Sequence, residues 1–282
     1  MLNTVALKIS LEEPEKKLLE MVSLLHQYGT QQIHLVHIRT KTNFRHQEQV
    51  ETRLENLRSE IEAQGFTAQA HIKIGHAASA FMDLAGKLEV DYVAIYWMPK
   101  PLLAQALLGS IDSDILRLST LPVLVHNHKL FRPVKELGSV LYATDFKFTD
   151  GAAMPYLINE RFRAHTLYLL HVGSRAPDPV TEEKRIESVR SNLERLGREC
   201  EHAYEKIELI DTIGFVRKEI IRHARSHDVD LIVVGKSERQ DAMSRIIGST
   251  AENLPHKSPC SVFIIPAICA LSEPDHSVVN PS

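Results

Sequence analysis

The residues most able to do chemistry lie between Val229 and Pro266. An apolar, β-branched run, Leu231-Ile232-Val233-Val234, leads to Gly235, then a polar loop, then Gly248-Ser249-Thr250 ahead of Ala251 and Glu252. The run reads as a strand buried on both faces of a parallel sheet, ended by Gly235. Gly248 with its two hydroxyl neighbours reads as a helix start, where unpaired main-chain N–H groups and the positive end of the helix dipole attract anions. Glycine lets a backbone approach an oxygen closely. An ordinary N-cap would place Ser249 and Thr250 there without any ligand. On the residues alone, both readings stand.

Other chemistries find less support. The 15 histidines include His34 and His37 on opposite faces of a predicted strand, His126 and His128 on one face, and His223 and His227 one helical turn apart. None is joined to an HExxH motif or a paired cysteine set, so no metal site is expected. Cys200, Cys260 and Cys269 have no CxxC spacing and suggest a reducing compartment. The chain has no GxSxG elbow and no GxxxxGK[ST] loop, and an enzyme is not expected. A net charge of −3 argues against nucleic acid or an anionic membrane as a partner. With no apolar run of about 18 residues, the expected location is the cytoplasm.

The elements that must position these residues come twice. Asp91-Tyr92-Val93-Ala94-Ile95 is repeated by Asp230-Leu231-Ile232-Val233-Val234, 139 positions on. Gly109-Ser110 and Gly248-Ser249 share that offset, as do Val123-Leu124-Val125 and Val262-Phe263-Ile264. Such self-similarity marks a tandem of one unit. The units are expected at residues 1–131 and 137–267, with the linker near Lys129 to Gly138 and a tail at 268–282.

In the first unit, strands are predicted at Thr4–Ile9, Gln32–Ile38, Ala70–Ile74, Asp91–Tyr96 and Pro122–His126. Helices fall between them at Pro14–Tyr28, Gln47–Gln64, Ala77–Leu88 and Ser110–Leu118. The second unit repeats the order, with strands at Ser139–Thr144, Thr166–Val172, Lys206–Asp211, the Leu231 run and Val262–Ile265. Its helices are predicted at Asp150–Phe162, Glu182–Cys200, Phe215–His227 and from Gly248. Alternation of this kind implies an α/β fold of parallel strands joined by right-handed crossovers.

The glycine spacing resembles the universal stress protein signature, Gly-x2-Gly-x9-Gly-[Ser/Thr]. Gly235 matches its first glycine and Gly248-Ser249 its last element, while Glu238, followed by Arg239, replaces the middle glycine. Pro259-Cys260-Ser261-Val262 is similar to the family's lead-in to its last strand. The resemblance implies two tandem doubly wound sheets, Rossmann-like or flavodoxin-like, joined as an intramolecular pseudo-dimer through Val123-Leu124-Val125 and Val262-Phe263-Ile264. It also implies that the second unit binds an adenine nucleotide, ATP or AMP.

The residues implied for that site are Ala143, Thr144 and Asp145 after the first strand, Val172 against adenine, Val234 and Gly235, Arg239, and Gly248, Ser249 and Thr250. Asp145 would meet the adenosine portion, or else cap the following helix. Glu238 opposes a triphosphate, a cost of about 1–3 kcal/mol at intermediate dielectric. Lys236, Arg239 and Arg245 could offset it. In the first unit, Ser10 replaces Asp145, and Tyr96-Trp97-Met98-Pro99 stands where Gly235 to Glu238 stand, so bulk is expected to fill that pocket. The expected function is a stress-response protein that senses a nucleotide and can pair as a homodimer of tandem chains. The alternatives are a ligand-free scaffold with both pockets lost, or a binder of another small molecule or lipid head at Tyr96-Trp97.

Overall fold

The computed structural model describes residues 2–39, 47–97, 111–127, 137–146, 148–159, 164–236, 251 and 253–267. Met98, Pro99, Gly109, Ser110, Glu238, Arg239, Arg245, Gly248, Ser249, Thr250 and the tail from 268 lie outside the described residues.

The first unit runs β1 (Thr4–Ile9), α1 (Glu15–Leu24), β2 (Gln32–Arg39), α2 (Gln47–Ala63), β3 (Thr67–Ile74), α3 (Ala77–Lys87), β4 (Tyr92–Trp97), α4 (Ile111–Leu118) and β5 (Val123–Asn127). The second runs β6 (Ser139–Thr144), α5 (Phe148–Leu157), β7 (Thr166–Gly173), α6 (Pro179–Cys200), β8 (Lys206–Ile213), α7 (Val216–Ser226), β9 (Leu231–Lys236) and β10 (Ser261–Pro266). The strands among the described residues join one sheet in the order β3-β2-β1-β4-β5-β10-β9-β6-β7-β8. Pairing is parallel within each unit and antiparallel only where β5 meets β10. Each half therefore carries the Rossmann order 3-2-1-4-5 rather than the flavodoxin one.

The seam is the expected one: Val125 faces Val262, Leu124 faces Phe263, and Val123 faces Ile264. Phe263 is held edge-on between Tyr92 of the first unit at 6.3 Å and Tyr156 of the second at 5.6 Å. Pairing removes two apolar strand edges from water at once.

The duplication extends to single hydrogen bonds. One carboxylate oxygen of Asp91 accepts from the amides of Asn3 (2.7 Å) and Thr4 (3.0 Å), and one of Asp230 accepts from those of Gly138 (3.0 Å) and Ser139 (2.9 Å). Each ties the start of a unit's first strand to the residue before its fourth. Two apolar layers cover the sheet, one holding Leu7, Leu35, Tyr142 and Phe263, the other Val36, Ile95, Ile220 and Val234.

Several bounds differ from expectation. The first helix gives way at Leu25 to a 3-10 turn that ends at Gly29, whose φ of 82° suits glycine. α5 spans Phe148–Leu157 rather than Asp150–Phe162, and it carries Pro155 within it. Gly235 does not end its strand: β9 continues through it to Lys236, since β10 pairs as far as Pro266 with Lys236.

Candidate functional site

In an open parallel sheet, the crevice opens beyond the carboxyl ends of strands that connect in opposite directions. In the second unit those strands are β6 and β9, and a cavity of about 220 Å³ lies there. β6 and the turn after it supply Ala143, Thr144 and Asp145, β7 supplies Leu170 and Val172, and β9 supplies Val234 and Gly235. Val216 and Ile220 of α7, Thr149 of α5, and Ala251 complete the lining. The structure thus brings together Ala143, Thr144, Asp145, Val172, Val234 and Gly235.

Gly235 is required by space and not by a turn. A Cβ there would stand 2.1 Å from Cβ of Thr149, far inside any van der Waals contact. The hydroxyl of Thr149 donates to Asp145 Oδ1 at 3.2 Å, so the exposed carboxylate at the mouth is held from the first turn of α5.

Beneath Asp145 lies a buried acid that the sequence reading did not single out. Asp150 accepts from Tyr142 Oη at 2.5 Å and from Thr144 Oγ1 at 2.7 Å. Burial pushes its carboxyl above the ordinary range, the two hydroxyl donors oppose that, and the nearby charge of Asp145 adds to it. Thr144 Oγ1 in turn accepts from the amide of Phe146 at 2.9 Å. That bond fixes a left-handed turn at Phe146 (φ 57°), whose ring stacks on His171 at 4.5 Å. The available signal was Tyr142 and Thr144 two apart on one strand face, with an acid opening the next helix.

Apart from Asp145 and the two threonine hydroxyls, the described lining is apolar. Such a surface suits a flat, largely apolar group that donates hydrogen bonds, as a purine nucleoside does. Lys236 does not turn toward an anion, contrary to expectation. It is buried, and Nζ donates to the main-chain oxygens of Leu116, Arg117 and Ser119 in the first unit, each at 3.0 Å.

The first unit shows the same crevice closed. Lys8 pairs with Ile95 as Ala143 pairs with Val234. Asp112 precedes Ala251, and Phe81 precedes Ile220, by the repeat offset of 139. In place of two alanines, Lys8 and Asp112 form an ion pair at 2.7 Å with 15% and 11% of their side chains exposed. This pair and Phe81 stand at the positions that Ala143, Ala251 and Ile220 hold around the second unit's cavity. Tyr96 and Trp97 both lie within β4 and are buried, in opposite apolar layers.

Among the described residues, no group of three or more His, Cys, Asp or Glu is placed to hold a metal ion. His34 and His71 share a hydrogen bond of 3.0 Å, and His223 and His227 stack at 5.8 Å. Burial lifts the Cys200 thiol to about 12, and Cys260 is buried beside Ser258. No helix among the described residues is long and apolar enough to cross a membrane.

Comparison with known proteins places this architecture. The family model described as "Universal stress protein family" matches residues 12–126 and 137–266. Universal stress protein MJ0577 of Methanocaldococcus jannaschii is 25% identical over 150 residues, 45% of this chain and 93% of that protein. The crystal structure of a universal stress protein from Archaeoglobus fulgidus is similar over 94% of this chain and 96% of its own, with 22% identity and a TM-score of 0.73. A universal stress protein solved in complex with cAMP is similar over 47% of this chain and 98% of its own, with 19% identity and a TM-score of 0.37.

Proposed function

This chain belongs to the universal stress protein family, and we propose that its second unit holds one adenine nucleotide, ATP or AMP, as the sensing step of a cytoplasmic stress-response regulator. The observation that carries this reading is the asymmetry between the two crevices. Where the first unit places Lys8 against Asp112, the second has Ala143 and Ala251 around an open cavity. Its mouth presents the Asp145 carboxylate, which accepts from ribose hydroxyls or an exocyclic amine. Its apolar walls, Val172, Val234 and Ile220, suit a base. The role proposed is binding without turnover, and association of two tandem chains belongs to the same proposal. Ligand that binds only the folded chain raises the melting temperature. ATP and AMP are each expected to do so at millimolar concentration, and Asp145→Ala is expected to abolish the rise. No shift with either nucleotide would reject the reading.

A second reading, a ligand-free scaffold, is favoured by one observation. Lys236, which follows Gly235 at the cavity, is engaged across the seam, and the described residues lining the cavity include no cation. In that case the tandem presents a surface and the cavity stays empty at every nucleotide concentration.

A further inference from the structure

We infer that the second-unit cavity is coupled to the first unit through two contacts across the seam, so that nucleotide entering the cavity is registered at Trp97. The inference rests on the nucleotide reading above and adds its route of regulation. Lys236 follows Gly235 directly, at the end of the strand that walls the cavity. Its ammonium donates to the main-chain oxygens of Leu116, Arg117 and Ser119 of the first unit, each at 3.0 Å. These oxygens belong to the last turn of α4 and the residue beyond it, where carbonyls lack helical partners and the helix dipole is negative. The end of β9 is therefore anchored to the opposite unit.

The equivalent contact runs the other way with different chemistry. Trp97 ends β4 as Lys236 ends β9, 139 positions apart. Its ring lies edge-on to His256 of the second unit, 4.7 Å away at 82°. His256 stands at the offset of 139 from Arg117, a few residues beyond Ala251, which lines the cavity. Two walls of the cavity, the β9 end and the Ala251 segment, are thus each tied to the first unit. Between them β10 pairs with both β9 and β5, and close packing carries small shifts across such a sheet. Trp97 is the only tryptophan in the sequence, so the chain's tryptophan emission comes from this ring.

The test is a titration of the full chain with AMP and, separately, ATP, followed by Trp97 emission and by calorimetry. The coupled chain gives a saturable emission change whose midpoint equals the calorimetric Kd. Lys236→Met weakens binding at least fivefold, the lower end of ordinary coupling between sites. His256→Leu keeps calorimetric binding and loses the emission response. If heat shows binding while Trp97 emission stays constant, or if Lys236→Met binds as wild type does, the coupling is wrong and the nucleotide reading survives. If neither nucleotide gives heat or emission change, both fail together. Should Lys236→Met not fold, the wild-type titration and His256→Leu still decide.

Discussion

Thr149 and Gly235 meet so closely that one position dictates the other. Gly235→Ala forces a methyl to within 2.1 Å of Thr149 Cβ, and overpacking of this kind costs about 1–3 kcal/mol. Urea denaturation is expected to show that loss, and Gly235→Ala with Thr149→Gly to recover most of it. A second residue-scale prediction concerns His34 and His71. Burial lowers both imidazoles from the ordinary 6.5, and His71 also lowers His34. Their folded values lie below the unfolded one, so the unfolded chain binds more protons as pH falls. The stability they contribute is present above about pH 6.5 and is lost as pH drops through their folded values. Melting temperatures measured between pH 7.5 and 5 should fall less steeply in His34→Gln; an unchanged slope would contradict the assignment. The spacing marks Gly235 as special without saying whether a turn or a close approach demands it, because both leave the same residue behind.

The crevice of the first unit is decided by two elements, the end of β1 and the start of α4. Lys8 and Asp112 lie 104 positions apart, and nothing local in either segment announces the pair. Tyr96 and Trp97 drew attention because bulk at a glycine position is visible in a sequence, whereas which layer a strand residue enters depends on the whole sheet. The pair also makes a prediction about energy. Removing one partner leaves the other charge largely out of water, so Lys8→Ala or Asp112→Ala alone is expected to destabilise by about 1–3 kcal/mol, below the 3–5 of a fully buried pair. The double variant should cost less than the sum of the two, by about 0.5–3 kcal/mol. Equilibrium unfolding of the four proteins measures this directly, and strict additivity would contradict an interacting pair.

At the scale of the molecule, one unit used twice gives a single ten-stranded sheet with an open crevice on one side of the seam and a closed one on the other. The repeat offset of 139 made the duplication legible, and the family resemblance, with the need of an apolar edge strand for a partner, implied the β5–β10 seam. It could not show that the two halves had diverged at Ala143 and Ala251, because alanine is silent until the structure shows what its twin carries. On the nucleotide proposal, these two alanines keep the second crevice open for an adenine nucleotide. The most direct measurement is calorimetric stoichiometry for AMP and ATP on the wild-type chain and on Ala143→Lys/Ala251→Asp, which copies the first unit's ion pair into the second. One nucleotide per wild-type chain and none for the folded double variant are expected. Two nucleotides per chain, none on the wild type, or unchanged binding by the variant would contradict that proposal.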